Sequence, residues 1–207
     1  MLITNGMQNI IRVLLNHKNK GFTTRELSKE ANVSLGLTVK IISSLAATHY
    51  VVKKPKIKLT SLKLLNAWAY TTSIKEINQL SFSAAERPEY LFKKISLIAA
   101  QNNLTYTFTL YSATEFVSPF VVPNTLDFYI LEGDKEKWET NLVKHNIFPA
   151  EKGNITVYLV NKDYFYNLFE VNGSKIISLP QLYVDLFSLG GRGEEAAQQI
   201  FKIMNKV

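Results

Sequence analysis

Apolar residues at Met7, Ile10, Ile11 and Leu14 recur at helical spacing, which predicts an amphipathic helix ending near His17, with Gly21 as a break behind it. In Thr23-Thr24-Arg25-Glu26 the Thr23 hydroxyl can cap a second, short helix while Glu26 reaches back, and Leu27 and Ala31 then face inward. Asn32-Val33-Ser34 predicts a tight connection, with Ser34 the N-cap of a third helix whose Thr38, Ile41, Ile42 and Leu45 form an apolar stripe. The opposite face carries Gly36, Lys40, Ser43 and Ala47, small or basic residues that let a helix approach a major groove. Tyr50-Val51-Val52 and Ile57-Lys58-Leu59 read as two short strands around Lys53-Lys54-Pro55-Lys56, a basic hairpin suited to neutralising phosphates. Ser61 opens a further helix with Leu62, Leu65 and Trp68 on one side, fit either to link two domains or to form a dimer contact.

From about Ser81 the pattern changes and helical and strand periods alternate. Helices are predicted over Glu89 to Gln101 and Lys135 to His145, and strands over Tyr106 to Leu110, Leu126 to Leu131 and Ile155 to Val160. Asn172-Gly173, between Phe169-Glu170-Val171 and Lys175-Ile176-Ile177, is a hairpin turn signal because both positions tolerate positive φ. Two helices close the chain, Pro180 to Leu189 and Glu194 to Asn205, with Gly190-Gly191-Arg192-Gly193 as a stop and restart between them. The expected fold class is α+β, with a first domain over residues 1–75 and a mixed α/β domain over residues 76–207.

Composition narrows the chemistry. The absence of cysteine excludes disulfides, thiolate zinc fingers, iron–sulfur clusters and cysteine nucleophiles. No apolar run reaches the roughly 18 to 20 residues of a membrane span, and residues 1–20 carry no pattern of a secretory leader, so the expectation is a cytoplasmic protein with no membrane partner. The net charge of +7 is unevenly placed: residues 1–75 hold 12 Lys/Arg against two acids, a net +10, and the remainder holds 12 against 15, a net −3. A basic first module points to a polyanion; a lysine-rich solvated surface is the plain alternative.

The order helix, helix, turn, helix, basic hairpin in TTRELSKEANVSLGLTVKIISSLAATHYVVKKPKIKLT resembles the winged helix-turn-helix regulators. The resemblance implies that Thr23, Thr24 and Arg25 touch phosphate, that Ser34, Leu35, Gly36, Val39, Lys40 and Ser43 approach bases, and that Lys53, Lys54, Lys56 and Lys58 form the wing. The closing stretch PQLYVDLFSLGGRGEEAAQQIF resembles the AbiEi antitoxins of type IV toxin–antitoxin systems through Leu182, Tyr183, Asp185, Leu186, Gly191, Arg192, Gly193, Ala196 and Ala197. That family implies a DNA-binding antitoxin that represses its own operon and counteracts a nucleotidyltransferase toxin. Its C-terminal domain resembles a degenerate nucleotidyltransferase fold.

A working nucleotidyltransferase needs a Gly-Ser turn for triphosphate and converging carboxylates for Mg²⁺. Thr109 to Tyr129 offers Ser112 without a preceding glycine and the lone acid Asp127, so Asp127 reads as structural, no catalytic residue is assigned, and neither a metal nor another cofactor is expected. Glu132, Asp134, Glu136 and Glu139 read as a solvated turn and helix start, and His17, His49 and His145 receive no role. Arg192 has two readings, an ion pair with an acid such as Asp185 or contact with a partner. The reading is a DNA-binding regulator with operator DNA, a cognate toxin and a second copy of itself as partners. A nucleotidyltransferase or nucleotide-binding enzyme carrying a winged-helix appendage, and a protein–protein adaptor, stand as alternatives.

Overall fold

The computed structural model describes residues 4–206; residues 1–3 and 207, at the outer ends of the two expected domains, lie outside them. Three helices open the chain: α1 (Asn5–Asn16), α2 (Thr24–Glu30) and α3 (Leu35–Ala47). Each starts where a side chain can replace a missing helical acceptor. Thr4 caps α1; Thr23 and Glu26 form the complete reciprocal box at α2; and the Ser34 hydroxyl accepts from the Leu37 amide at α3. Asn32 makes the turn between α2 and α3 in the left-handed region, with φ 52. Strands β1 (Val51–Val52) and β2 (Lys58–Leu59) pair antiparallel, and just before β2 a two-way amide bridge between Phe22 and Ile57 ties this hairpin to the segment before α2. Helix α4 (Lys63–Ala69) buries Leu64, Leu65, Trp68 and Ala69 against α1 and against the distant helix α8 (Leu179–Phe187), so its apolar side serves as a link inside the chain.

The second part is built on a seven-stranded mixed sheet of order β6-β3-β7-β5-β4-β9-β8. Its strands are β3 (Gln79–Ser83), β4 (Tyr106–Phe108), β5 (Leu126–Leu131), β6 (Phe148–Pro149), β7 (Ile155–Val160), β8 (Phe169–Val171) and β9 (Ser174–Ile176). The central parallel pair, β5 with β7, is almost wholly buried, as expected of continuous β-branched and aromatic runs such as LDFYIL and ITVYLV. The edges are short: β6 contains Pro149, and β8 ends in the Asn172-Gly173 hairpin turn. Helices α5 (Pro88–Asn102), α6 (Leu110–Val117) and α7 (Lys135–Lys144) accompany the sheet, and α8 (Leu179–Phe187) and α9 (Arg192–Lys206) close the chain. The aromatic strands fill the core: Tyr106 meets Phe108, Phe128 and Trp138 edge-on, and all four rings are buried.

Helix α8 packs against α9, α4, α1 and α6 at once, and one continuous apolar core runs from Met7 to Met204. The strand expected over Tyr106 to Leu110 is shorter than its pattern. It ends at Phe108 because the Thr109 hydroxyl donates to Asp185 at 2.6 Å and turns the chain into α6, with buried Leu110 at φ 51. A branched side chain in the left-handed region costs roughly 1 to 2 kcal/mol, which burial of that side chain offsets. No helix among the described residues is long and apolar enough to cross a membrane.

Candidate nucleic-acid interface

The stretches assigned to phosphate, bases and wing meet at one hollow, which Thr24, Val39, Ser43 and Lys53 line; Arg192, assigned to a partner, lies on α9. Thr23 and Arg25 are exposed at the start of α2, with Thr24 partly covered beside them. On α3, the buried stripe Thr38, Ile41, Ile42 and Leu45 faces α1 and α2. Ser34 at the helix start, and Leu35, Gly36, Val39, Lys40 and Ser43 along its other side, therefore face solvent. Lys53, Lys54, Lys56 and Lys58 are exposed along the hairpin. Lys53 Nζ donates to Ser43 Oγ at 3.0 Å, fastening the hairpin to the outward face of α3. A shallow hollow of about 100 Å³ lies where the three elements meet, lined by Thr24, Val39, Ile42, Ser43, Lys53 and Ile57.

Gly36 has no packing reason for lacking a side chain, since a Cβ built there meets nothing within 4 Å. Glu26, an exposed acid on α2, is occupied as the acceptor of the Thr23 amide at 2.7 Å, and that bond holds its carboxyl below the usual range. The exposed face thus combines six cations, Arg25, Lys40 and the four hairpin lysines, with small and apolar positions on α3. Such a surface can neutralise phosphates and admit base edges.

Behind this surface lies a buried polar chain that periodicity did not reveal. Arg12, only 2% exposed, donates through Nε and Nη2 to Gln181 Oε1 at 3.2 and 2.8 Å and through Nη1 to Asn9 Oδ1 at 2.8 Å. Its guanidinium also sits 5.2 Å from the ring centres of both Trp68 and Tyr164. Gln181 donates onward to Asp185 at 2.8 Å, and Asn9 donates to Asp163 at 2.7 Å. Burial pushes Asp185 up to about 6, against the lowering effect of Thr109, Gln181 and Arg12. An arginine inside the apolar run IIRVLL was the one local signal; its partner Gln181 lies 169 residues away.

This arrangement corrects one expectation: Asp185 is held by Thr109 and Gln181, with Arg12 behind them, and Arg192 forms no ion pair with it. Arg192 is exposed at the start of α9, and its charge acts on Tyr111. Gly193 just after it lets α9 approach α8, because a Cβ there would lie 2.4 Å from Leu186 O. Gly190 and Gly191 before it take positive φ of 74 and 51.

Asp127 lies inside β5, where its amide donates to Ser112 Oγ at 2.8 Å and its carboxyl accepts from Thr125 at 2.9 Å. Burial pushes it up to about 7, against the pull of the Thr125 and Thr156 hydroxyls. No cluster of three or more metal-ligating side chains occurs among the described residues. One buried carboxyl beside the Thr125 and Thr156 hydroxyls is packed as a core polar group.

The family described as transcriptional regulator, AbiEi antitoxin, type IV toxin–antitoxin system matches residues 57–205, from the second strand of the hairpin to the end of α9. No curated protein and no solved structure matches the chain significantly. With well over half of its length matched, the chain belongs to the AbiEi antitoxin family of transcriptional regulators of type IV toxin–antitoxin systems.

Proposed function

We propose that this chain is a DNA-binding antitoxin that represses its own operon and counteracts a nucleotidyltransferase toxin. Residues 1–75 act as a winged helix-turn-helix domain. Thr23, Thr24 and Arg25 contact phosphate; Ser34, Leu35, Gly36, Val39, Lys40 and Ser43 approach bases; and Lys53, Lys54, Lys56 and Lys58 form the wing. The observation that carries this reading is the outward face of α3, small and apolar, fastened to a hairpin of exposed lysines. One recognition helix reads few base pairs, so a dimer on a two-fold operator completes the reading. Residues 76–207 carry the toxin-directed role on a nucleotidyltransferase-like fold without the activity, with exposed Arg192 part of the partner surface. The single enclosed Asp127, in place of converging carboxylates, supports a non-enzymatic role that needs no cofactor. The protein acts in the cytoplasm.

The test is a salt series of binding to the DNA upstream of the chain's own gene, with scrambled DNA of equal length as competitor. A preference of roughly a thousandfold at physiological salt is expected of a specific regulator. Equal affinity for both duplexes would remove the operator role.

A further inference from the structure

Resting on that DNA-binding role, we propose that α3 reads thymine through its 5-methyl group, with Val39 as the reading residue and Leu35 beside it. The outward face of α3 contains no arginine, asparagine, glutamine or acid. Bidentate recognition of adenine and acceptance from cytosine are therefore closed to it, since those contacts need an amide or a carboxylate. Ser43 already accepts from Lys53 at 3.0 Å. The hydroxyls of Ser34 and Ser43 can serve any base; what tells bases apart on this face is one cation, Lys40, suited to guanine O6 and N7, and the apolar pair Leu35 and Val39, suited to the thymine methyl.

These two side chains are 45% and 49% exposed, on a helix whose apolar stripe is packed elsewhere. Val39 also lines the hollow of about 100 Å³ between α3, the start of α2 and the hairpin, a space open to a methyl group. The charge around it selects the occupant. Lys40 follows Val39 directly on α3 and Lys53 lines the same hollow as Val39, so the partner that covers this spot is a polyanion bearing small apolar groups, as the major groove of duplex DNA does at thymine.

The experiment selects a duplex from a randomised library with the full-length protein, then replaces each dT of the selected duplex by dU, which keeps base pairing and removes only the methyl. At one or two positions per half-site dU is expected to weaken binding about fourfold, the worth of one buried methyl-sized group. Val39→Ala, an exposed helical substitution whose fold is checked by circular dichroism, is expected to bind the dT and dU duplexes equally there. Unchanged affinity at every dU, in a duplex that still outcompetes scrambled DNA, would overturn methyl reading and leave DNA binding standing. A Val39→Ala variant that still discriminates dT from dU would overturn the assignment to Val39. Failure of the library to enrich any sequence would remove the DNA-reading role, and methyl reading with it.

Discussion

Gly36 is a costly residue for a helix and has no neighbour to justify it, which separates its effect on folding from its effect on binding. Gly36→Ala is expected to raise folding stability by about 0.5 to 1 kcal/mol, because alanine loses less backbone entropy in a helix. On the proposed DNA face the same methyl group stands between α3 and a base edge, so affinity for the selected duplex is expected to fall about tenfold, the scale of mild overpacking. A melting curve and a binding titration on one variant check both halves; a stabilised variant with unchanged affinity would take Gly36 off the interface. At this scale the chain was readable where chemistry is local. The caps at Thr23 and Ser34 follow from side chains three residues from the amides they serve. The roles of Arg12 and Asp185 were not, because their hydrogen-bond partners lie as far as 169 and 76 residues away.

Among the elements, the long and strongly periodic ones match their patterns: α1, α3, α5, α7, β5 and β7 lie within a residue or two of expectation. The pattern missed α6, β3 and β6. Helix α6 begins at a left-handed leucine after Thr109 is captured by Asp185, a tertiary contact that overrides local preference. Strand β3 does alternate, with Leu80 and Phe82 between Gln79, Ser81 and Ser83, but over only five residues, and β6 has only two residues and no period. The glycine run between α8 and α9 was legible as a break; that Gly193 also sets the distance between those helices was not. Gly193→Ala places a methyl group against Leu186 O and Leu189 Cβ, at 2.4 and 2.6 Å before relaxation. It is expected to destabilise the fold by about 1 to 3 kcal/mol, measured by urea denaturation. Wild-type stability in that variant would mean that the two helices slide apart at no cost.

Over the whole molecule, the charge division into a basic and a mildly acidic part was visible in the sequence, whereas the tight joining of the two parts was not. Arg12 of α1 binds Gln181 of α8, His17 bonds the Tyr166 hydroxyl, and that hydroxyl donates to Glu30. Two buried acids make the stability of this unit depend on pH. Asp185 and Asp127 are pushed up to about 6 and about 7, above the ~3.9 of an unfolded aspartate. A carboxyl that holds its proton more tightly when folded contributes fully below the unfolded value, and that contribution is lost as pH rises through the folded one. These groups are therefore expected to lower the thermal midpoint between about pH 4 and about pH 7. Asp127→Asn stays neutral throughout, so its midpoint relative to wild type is expected to be higher at about pH 8 than at about pH 5. A difference that does not change with pH would show that folding does not raise the pKa of Asp127 above its unfolded value. The shared core of α1, α4 and α8 bears also on turnover. Proteases attack opened chains, and a chain whose halves open together is removed as one piece. Repression and toxin neutralisation, if carried by the two halves, would then share a single lifetime in the cell.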